Sequence, residues 1–289
     1  EFGRADAFEF VGESPATWEL RDQIAFAGSP AEHVLVDGQS GTGKELVARA
    51  IHALSPRAAR PFVSRNASTF PEGLIDAELF GTAKDYPNAG MPRRAGLIAD
   101  ADGGILFLDE IRELPAALQS HLLRVLDHGG EYQRLGEPTV RQSDVRVVAA
   151  TNRDVAELKH DLAARLKLRI TVPGFAHRLE DVPLLIRHFS EQLLAQNAKL
   201  ARRFVGGESQ RGGVTFEPAL VEALLRHRYT HHMRELERLL LVAFESSPGD
   251  YVALTPSLER ELDRSPAPVT AEPTPEQVEE ALARAGGSG

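Results

Sequence analysis

Gly38-Gln39-Ser40-Gly41-Thr42-Gly43-Lys44-Glu45 stands between the apolar run His33–Val36 and the helical pattern Leu46–His52. Strand, glycine loop, helix is the context in which a Gly-x-x-x-x-Gly-Lys stretch becomes a phosphate cradle, the Walker A motif. Glycines let backbone N–H groups turn inward, the helix N-terminus adds its dipole, and Lys44 places a charge near the outer phosphates. Gly38, Ser40, Gly41, Thr42, Gly43, Lys44, Glu45 and Leu46 are thus candidate contacts to a nucleotide, with ATP and Mg2+ as the expected ligands. A Gly-rich turn with a chance lysine is the competing reading, and the flanking strand and helix weigh against it. Glu45 stands where Ser or Thr usually meets Mg2+.

Further along, Ile105-Leu106-Phe107-Leu108-Asp109-Glu110 is an apolar strand that ends in two carboxylates. Many strands end in acidic turns, so alone it says little. Behind a phosphate loop it reads as Asp109 holding Mg2+ through water and Glu110 polarising the attacking water.

The runs His33–Val36, Phe62–Ser64, Ile105–Leu108, Val145–Ala149 and Arg169–Val172 alternate with helical patterns. That alternation predicts an α/β fold with a parallel sheet flanked by helices. From Glu180 to about Glu261 the period becomes helical, with Val182–Leu194, Pro218–His227 and Met233–Phe244 as runs and Phe204–Gly213 as a Gly- and Arg-rich loop. The expected division is an ATPase subdomain over 1–175, a small helical lid over 176–263, and a linker with one further helix over 264–289.

The 289 residues lack cysteine, which excludes disulfides and thiolate metal sites and fits a cytoplasmic location. No apolar run approaches about 18 residues, so no membrane span or membrane partner is expected. The net charge of −9 makes the chain a poor nonspecific grip on nucleic acid. It does not begin with Met and reads as a piece of a longer protein.

At this point the sequence resembles the AAA+ ATPase domain of sigma-54-dependent transcription activators. The resemblance rests on Gly12-Glu13-Ser14-Pro15, Gly41 to His52, Glu78-Leu79-Phe80-Gly81, Leu106 to Ile111, Leu122 to Leu126, Ala149 to Asp154 and Arg234-Glu235-Leu236-Glu237. It implies a ring homo-oligomer, hexamer or heptamer, with ATP at subunit interfaces and sigma-54 with RNA polymerase as the target. It also implies individual roles. Val11 and Gly12 would lie by the adenine. Asn66 would restrain Glu110 until nucleotide is sensed. Thr151 and Asn152 would sense the outer phosphate, and Arg234 would be the lid's sensor. Read singly, Asn66 could be a turn residue, Thr151-Asn152 a strand end and Arg234 a solvated helix charge. Arg165 matches the second of the family's two arginine fingers, whereas Lys159 occupies the first. Lysine lacks the planar fork that grips phosphate oxygens, so slow hydrolysis is expected.

Two further departures bear on partners. The family's Gly-Ala-Phe-Thr-Gly-Ala loop tip, which pushes on sigma-54, is Asp85-Tyr86-Pro87-Asn88-Ala89-Gly90 here. A second pore loop, Glu131-Tyr132-Gln133-Arg134-Leu135-Gly136, is closer to the family's form. The family's Trp-Pro-Gly-Asn before the sensor is Tyr229-Thr230-His231-His232. The two histidines invite a metal reading, but adjacent histidines without further ligand spacing are more often surface or capping residues. Thr274 to Gly287 reads as a capped helix resembling the first helix of a helix-turn-helix domain. DNA would then be bound through a segment beyond this chain; a terminal helix docking on the core is the alternative. Three functions stay open: an ATPase that remodels a transcription complex, a regulator whose sigma-54 push is lost and which acts on another target or as a repressor, and a nucleotide-gated scaffold.

Overall fold

The apolar runs form one parallel sheet. A computed structural model describes residues 3–71, 73–127, 129–152, 155, 158–205 and 213–264. Its strands are β1 (Val34–Asp37), β2 (Phe62–Asn66), β3 (Ile105–Asp109), β6 (Arg146–Thr151) and β7 (Leu168–Thr171). They lie in the order β2-β3-β6-β1-β7. Between β3 and β6 the chain makes a separate antiparallel hairpin, β4 (Glu131–Gln133) and β5 (Val140–Gln142).

Strands buried on both faces read as continuous apolar runs, and their period of two splits the side chains between faces. Leu106 and Leu108 pack with Leu122 and Val125 of α5 (Ala116–Leu126) and with Leu79 of α3 (Ile75–Phe80). Ile105 and Phe107 face the other way, onto Val47 and Ile51 of α2 (Lys44–Leu54) and Leu20 and Ile24 of α1 (Pro15–Gly28). Helix α4 (Leu97–Asp100) closes the first layer, and α6 (His160–Arg165) follows β6. Buried Arg146 donates to the carbonyls of Ala27 at 2.6 Å, Gly28 at 3.5 Å and Glu32 at 2.8 Å, satisfying the C-terminal end of α1.

After β1 the chain crosses to β2 at the far edge of the sheet. The strand order therefore reverses beside β1, and the crevice at the strands' C-terminal ends is where such sheets bind ligands.

The lid consists of α7 (Val182–Gln196), α8 (Ala198–Phe204), α9 (Pro218–Arg226), α10 (His232–Ser246) and α11 (Pro256–Asp263). Proline stands in the first turn of α7, α9 and α11, where its missing N–H costs nothing. Leu185, Phe204, Leu224, Leu236, Leu240, Phe244 and Leu258 form its core. Phe204 ends α8 and is fully buried against Phe244, so it is not a loop residue as expected; residues 206–212 of that expected loop lie outside the described residues. The expected linker and last helix, 265–289, also lie outside them. Phe175 and Val11 both pack into the lid's core although they precede the expected boundary at 175/176. No described helix is long and apolar enough to cross a membrane.

Candidate functional site

The loop after β1 closes directly onto α2, whose first residue is Lys44. Gly41 and Gly43 hold φ of +79° and +100°, a region that penalises any Cβ. Gly41 has a second constraint, since a Cβ there would lie 2.1 Å from His231 O. Gly38 N–H donates to Thr151 O at 3.2 Å, and the Thr42 hydroxyl donates to Gln39 O at 2.9 Å. Lys44 Nζ donates to Gly38 O at 2.9 Å and Gln39 O at 3.3 Å. Burial lowers the pKa of Lys44, and the charges of Asp109 and Glu110 oppose that loss. Ser40 is half-buried within the loop, and Leu46 packs partly buried beside the core under α2. Glu45 points elsewhere: it pairs with Arg49 one turn along at 2.7 Å, and both are exposed.

Asp109 ends β3, and Glu110 follows with φ of +53°, an uncommon conformation for a residue with a side chain. Asp109 Oδ1 accepts the N–H of Glu110 at 3.0 Å and Oδ2 accepts Asn66 Nδ2 at 3.3 Å. Glu110 Oε2 accepts the N–H of Asn152 at 3.3 Å. Burial pushes the pKa of Glu110 up, and the neighbouring charge of Asp109 pushes it further. Asn66, expected to restrain Glu110, thus donates to Asp109 in the single chain. The parallel register sets Asn66 level with Asp109, and the left-handed turn carries Glu110 past both towards β6. Thr151 is buried at the end of β6 as the register partner of Asp37, and Asn152 is exposed just beyond it.

From the lid, exposed Arg234 on α10 reaches the loop: its Cγ lies 3.6 Å from the position of a Cβ on Gly41. Val11 is buried, and Gly12 has both a φ of +148° and no room for a side chain, since a Cβ there would lie 2.5 Å from Asp181 Oδ2. Asp181 accepts the N–H groups of Glu13 at 2.6 Å and Ser14 at 2.8 Å and the hydroxyls of Ser14 at 2.7 Å and Thr17 at 2.6 Å. Burial alone would raise its pKa; the hydrogen bonds outweigh it and hold the carboxyl below its ordinary value.

The two finger candidates lie at opposite ends of α5. Lys159 Nζ donates to Ala116 O at 2.6 Å and Ser120 Oγ at 3.1 Å. Arg165 Nε pairs with Asp127 at 2.7 Å. Neither is bonded to Lys44, Asp109 or Glu110 within the single chain.

His231 and His232 were expected at the surface or at a cap. His231 is the exposed N-cap residue of α10, but His232 is buried, with Nδ1 accepting the N–H of Phe175 and Nε2 bonded to Gln39 Oε1. Its φ of +44° turns the ring inward. The substitution of Trp-Pro-Gly-Asn by Tyr229 to His232 was the available signal. Among the described residues no cluster of ligating side chains suits a metal. A cavity of about 950 Å3 opens beside this junction, lined by Gly38, Gln39, Asn152, Phe175 and His232, and not by Lys44 or the acidic pair.

The altered loop tip forms a closed turn. Thr82 and Arg94 exchange backbone hydrogen bonds at 3.1 Å, Asp85 N–H donates to Met91 O at 2.8 Å, and Gly90 N–H donates to Asp85 Oδ1 at 2.7 Å. Its base is tied to the second loop through Ala83 N–H to Leu135 O at 2.9 Å. Tyr86 lies so close over Gly136 that a Cβ there would be 2.4 Å from the ring.

The family model described as the sigma-54 interaction domain matches residues 10–173. The transcriptional regulatory protein ZraR of Escherichia coli K12 is 37% identical over 278 residues, covering 94% of this chain and 58% of ZraR. The anaerobic nitric oxide reductase transcription regulator NorR of Citrobacter koseri is 39% identical over 264 residues, covering 88% of this chain and 50% of NorR. Among solved structures, NtrX from Brucella abortus in complex with ADP superposes with a TM-score of 0.74 at 31% identity over 96% of this chain and 61% of NtrX. NtrX in complex with ATP gives 0.75 at 29% identity over 99% and 65%. The chain thus spans between half and two thirds of the length of these relatives.

Proposed function

The chain belongs to the sigma-54 interaction domain family, and from that premise we propose that it binds ATP with Mg2+ and hydrolyses it to drive a cytoplasmic transcription regulator. What carries the reading is the meeting of Lys44, Asp109 and Glu110 at the C-terminal ends of β1 and β3, where the two carboxylates act on Lys44 and Lys44 acts on Glu110. Lys44 and the loop amides hold the phosphates. Each oxygen of Asp109 accepts a single hydrogen bond and has lone pairs left for water on Mg2+, whose charge would neutralise the phosphates. Glu110 takes the proton of the water that attacks the terminal phosphorus, as the bond to the ADP oxygen breaks. Asn66 orders Asp109. Thr151 and Asn152 lie at the outer phosphate, Arg234 reports it to the lid, and Val11 and Gly12 flank the adenine. Arg165, with Lys159 in the weaker position, serves the site of the next subunit in a ring of six or seven. DNA is held by a segment outside this chain. NtrX crystallised with ADP and with ATP supports the choice of ligand.

Phosphate release from ATP tests the enzyme. Glu110→Gln should cut it by about 10²-fold or more while ATP still binds. No release by the parent chain at any concentration would leave a nucleotide-gated scaffold.

A second reading concerns the target. The Asp85–Gly90 turn and Tyr86 over Gly136 favour an acceptor other than sigma-54. Gel filtration with sigma-54 and ADP plus a metal fluoride decides it. A stable complex keeps the activator reading. Assembly without a complex turns the motor to another protein.

A further inference from the structure

Three segments distant in sequence meet at one imidazole. His232, 3% exposed, opens α10; Gln39 belongs to the phosphate loop; Phe175 follows β7. Phe175 N–H donates to His232 Nδ1 at 3.3 Å, so the ring proton sits on Nε2 and is donated to Gln39 Oε1. An imidazolium would add an N–H at Nδ1, which faces the Phe175 N–H and has no acceptor there. Burial, with the charge of Arg178 beside it, lowers the pKa of His232 to about 4 and keeps the ring neutral. Gly174 leaves the ring its space, since a Cβ there would lie 2.8 Å from His232 Cε1. Next to the ring, Met233 N–H donates to Gly41 O at 3.1 Å. On the loop side, the carbonyl of Gln39 is itself a seat of Lys44 Nζ.

We propose that His232 is a positioning residue through which the phosphate loop sets the orientation of the helical lid. A phosphate that draws Lys44 Nζ from the carbonyls of Gly38 and Gln39 shifts the seat of Gln39. The Gln39 side chain passes that shift to His232 and so to α10, which carries Arg234. Such a link has coupling content only if loop and lid bias one another's states. The inference rests on the nucleotide reading above.

The test uses ADP as the probe, with affinity and amide hydrogen exchange measured on the parent chain, His232→Phe, Gln39→Leu, the double variant and Gln39→Glu. In the parent chain ADP should slow exchange both at Lys44–Val47 and at the start of α10. His232→Phe and Gln39→Leu should each weaken ADP by about five-fold, and the pair together by no more than either alone. Both should keep the ADP-dependent protection at Lys44–Val47 and lose it at α10. Gln39→Glu, which retains an acceptor, should keep the ADP-dependent protection at α10 even where its added charge weakens ADP itself. Gln39 is exposed, so its leucine variant reads the link even if His232→Phe unfolds. Unchanged ADP affinity and α10 protection in Gln39→Leu, or additive losses in the double variant, overturn the inference. A parent chain that does not bind ADP overturns the nucleotide reading and the inference with it.

Discussion

Asn66 donates to Asp109 Oδ2 at 3.3 Å, and the register that sets these two residues level on β2 and β3 leaves Glu110 to the backbone of Asn152. The two carboxylates are therefore ordered separately. Asp109 is fixed by a side-chain amide and one N–H, while Glu110 is held by one 3.3 Å bond and a left-handed backbone. The group that must exchange a proton is the less tightly held of the two.

The surroundings of Glu110 also set a pH dependence. Burial and then Asp109 raise the pKa of Glu110. A protonated Glu110 cannot accept a proton from water, so kcat/KM should fall as pH drops through a value above the ordinary glutamate range. Phosphate release followed between about pH 4 and 8 checks this. An acid limb within the ordinary range would mean that burial does not tune this carboxyl.

His232 gives a separate dependence in stability. Its folded pKa of about 4 lies below the ordinary 6.5, so the folded state resists a proton that the unfolded chain accepts. Stability should be complete above about 6.5 and lost as pH falls from there towards 4, by about 3 kcal/mol at most. Urea unfolding across that range should show the loss, and His232→Asn should flatten it. An equally steep loss in that variant would assign the effect to other groups.

The sheet was legible because strands buried on both faces must be apolar runs, and the runs at Ile105 and Val145 could hardly be anything else between helical periods. The phosphate loop was legible because its glycines answer a backbone requirement. What escaped was long-range and side-chain specific. Nothing local in Asn66 says which of two adjacent carboxylates it meets; only the register of β2 on β3 does. Nothing in two adjacent histidines says that one turns inward at positive φ to meet Gln39 across the chain. Val11 in the lid's core is likewise invisible to a reading by consecutive segments.

Gly136 is predicted to resist substitution. Its φ is +77°, and a Cβ would lie 2.4 Å from the ring of Tyr86. Gly136→Ala should cost about 1–2 kcal/mol and expel Tyr86 from the second loop. The denaturation midpoint measures the first effect and tyrosine fluorescence the second. Tyr86→Ala in the same chain should recover part of the loss, because it removes the clash and leaves only the backbone strain. No recovery would mean that Tyr86 does not pack on Gly136 in solution.

The two finger candidates should separate sharply. Arg165 is held by Asp127, in a partly exposed pair whose side chains are 34% and 51% accessible, and by the carbonyl of Asp161 at 3.0 Å. Exposed pairs of this kind hold weakly, so ring assembly can release Arg165 at little cost. Lys159 bridges Ala116 O and Ser120 Oγ at the start of α5 and, once released, offers a point charge without a fork. Arg165→Ala should lower kcat by about 10³-fold with folding intact, whereas Lys159→Ala should change it by about three-fold or less. Lys159→Arg should raise turnover, because a planar guanidinium at that position can grip two phosphate oxygens at once. The assay must be run over a range of protein concentrations, since a finger acts on a neighbour's site and its effect should vanish where rings do not form. A large loss in Lys159→Ala at concentrations that sustain assembly would make the lysine an active finger and remove the ground for expecting slow hydrolysis.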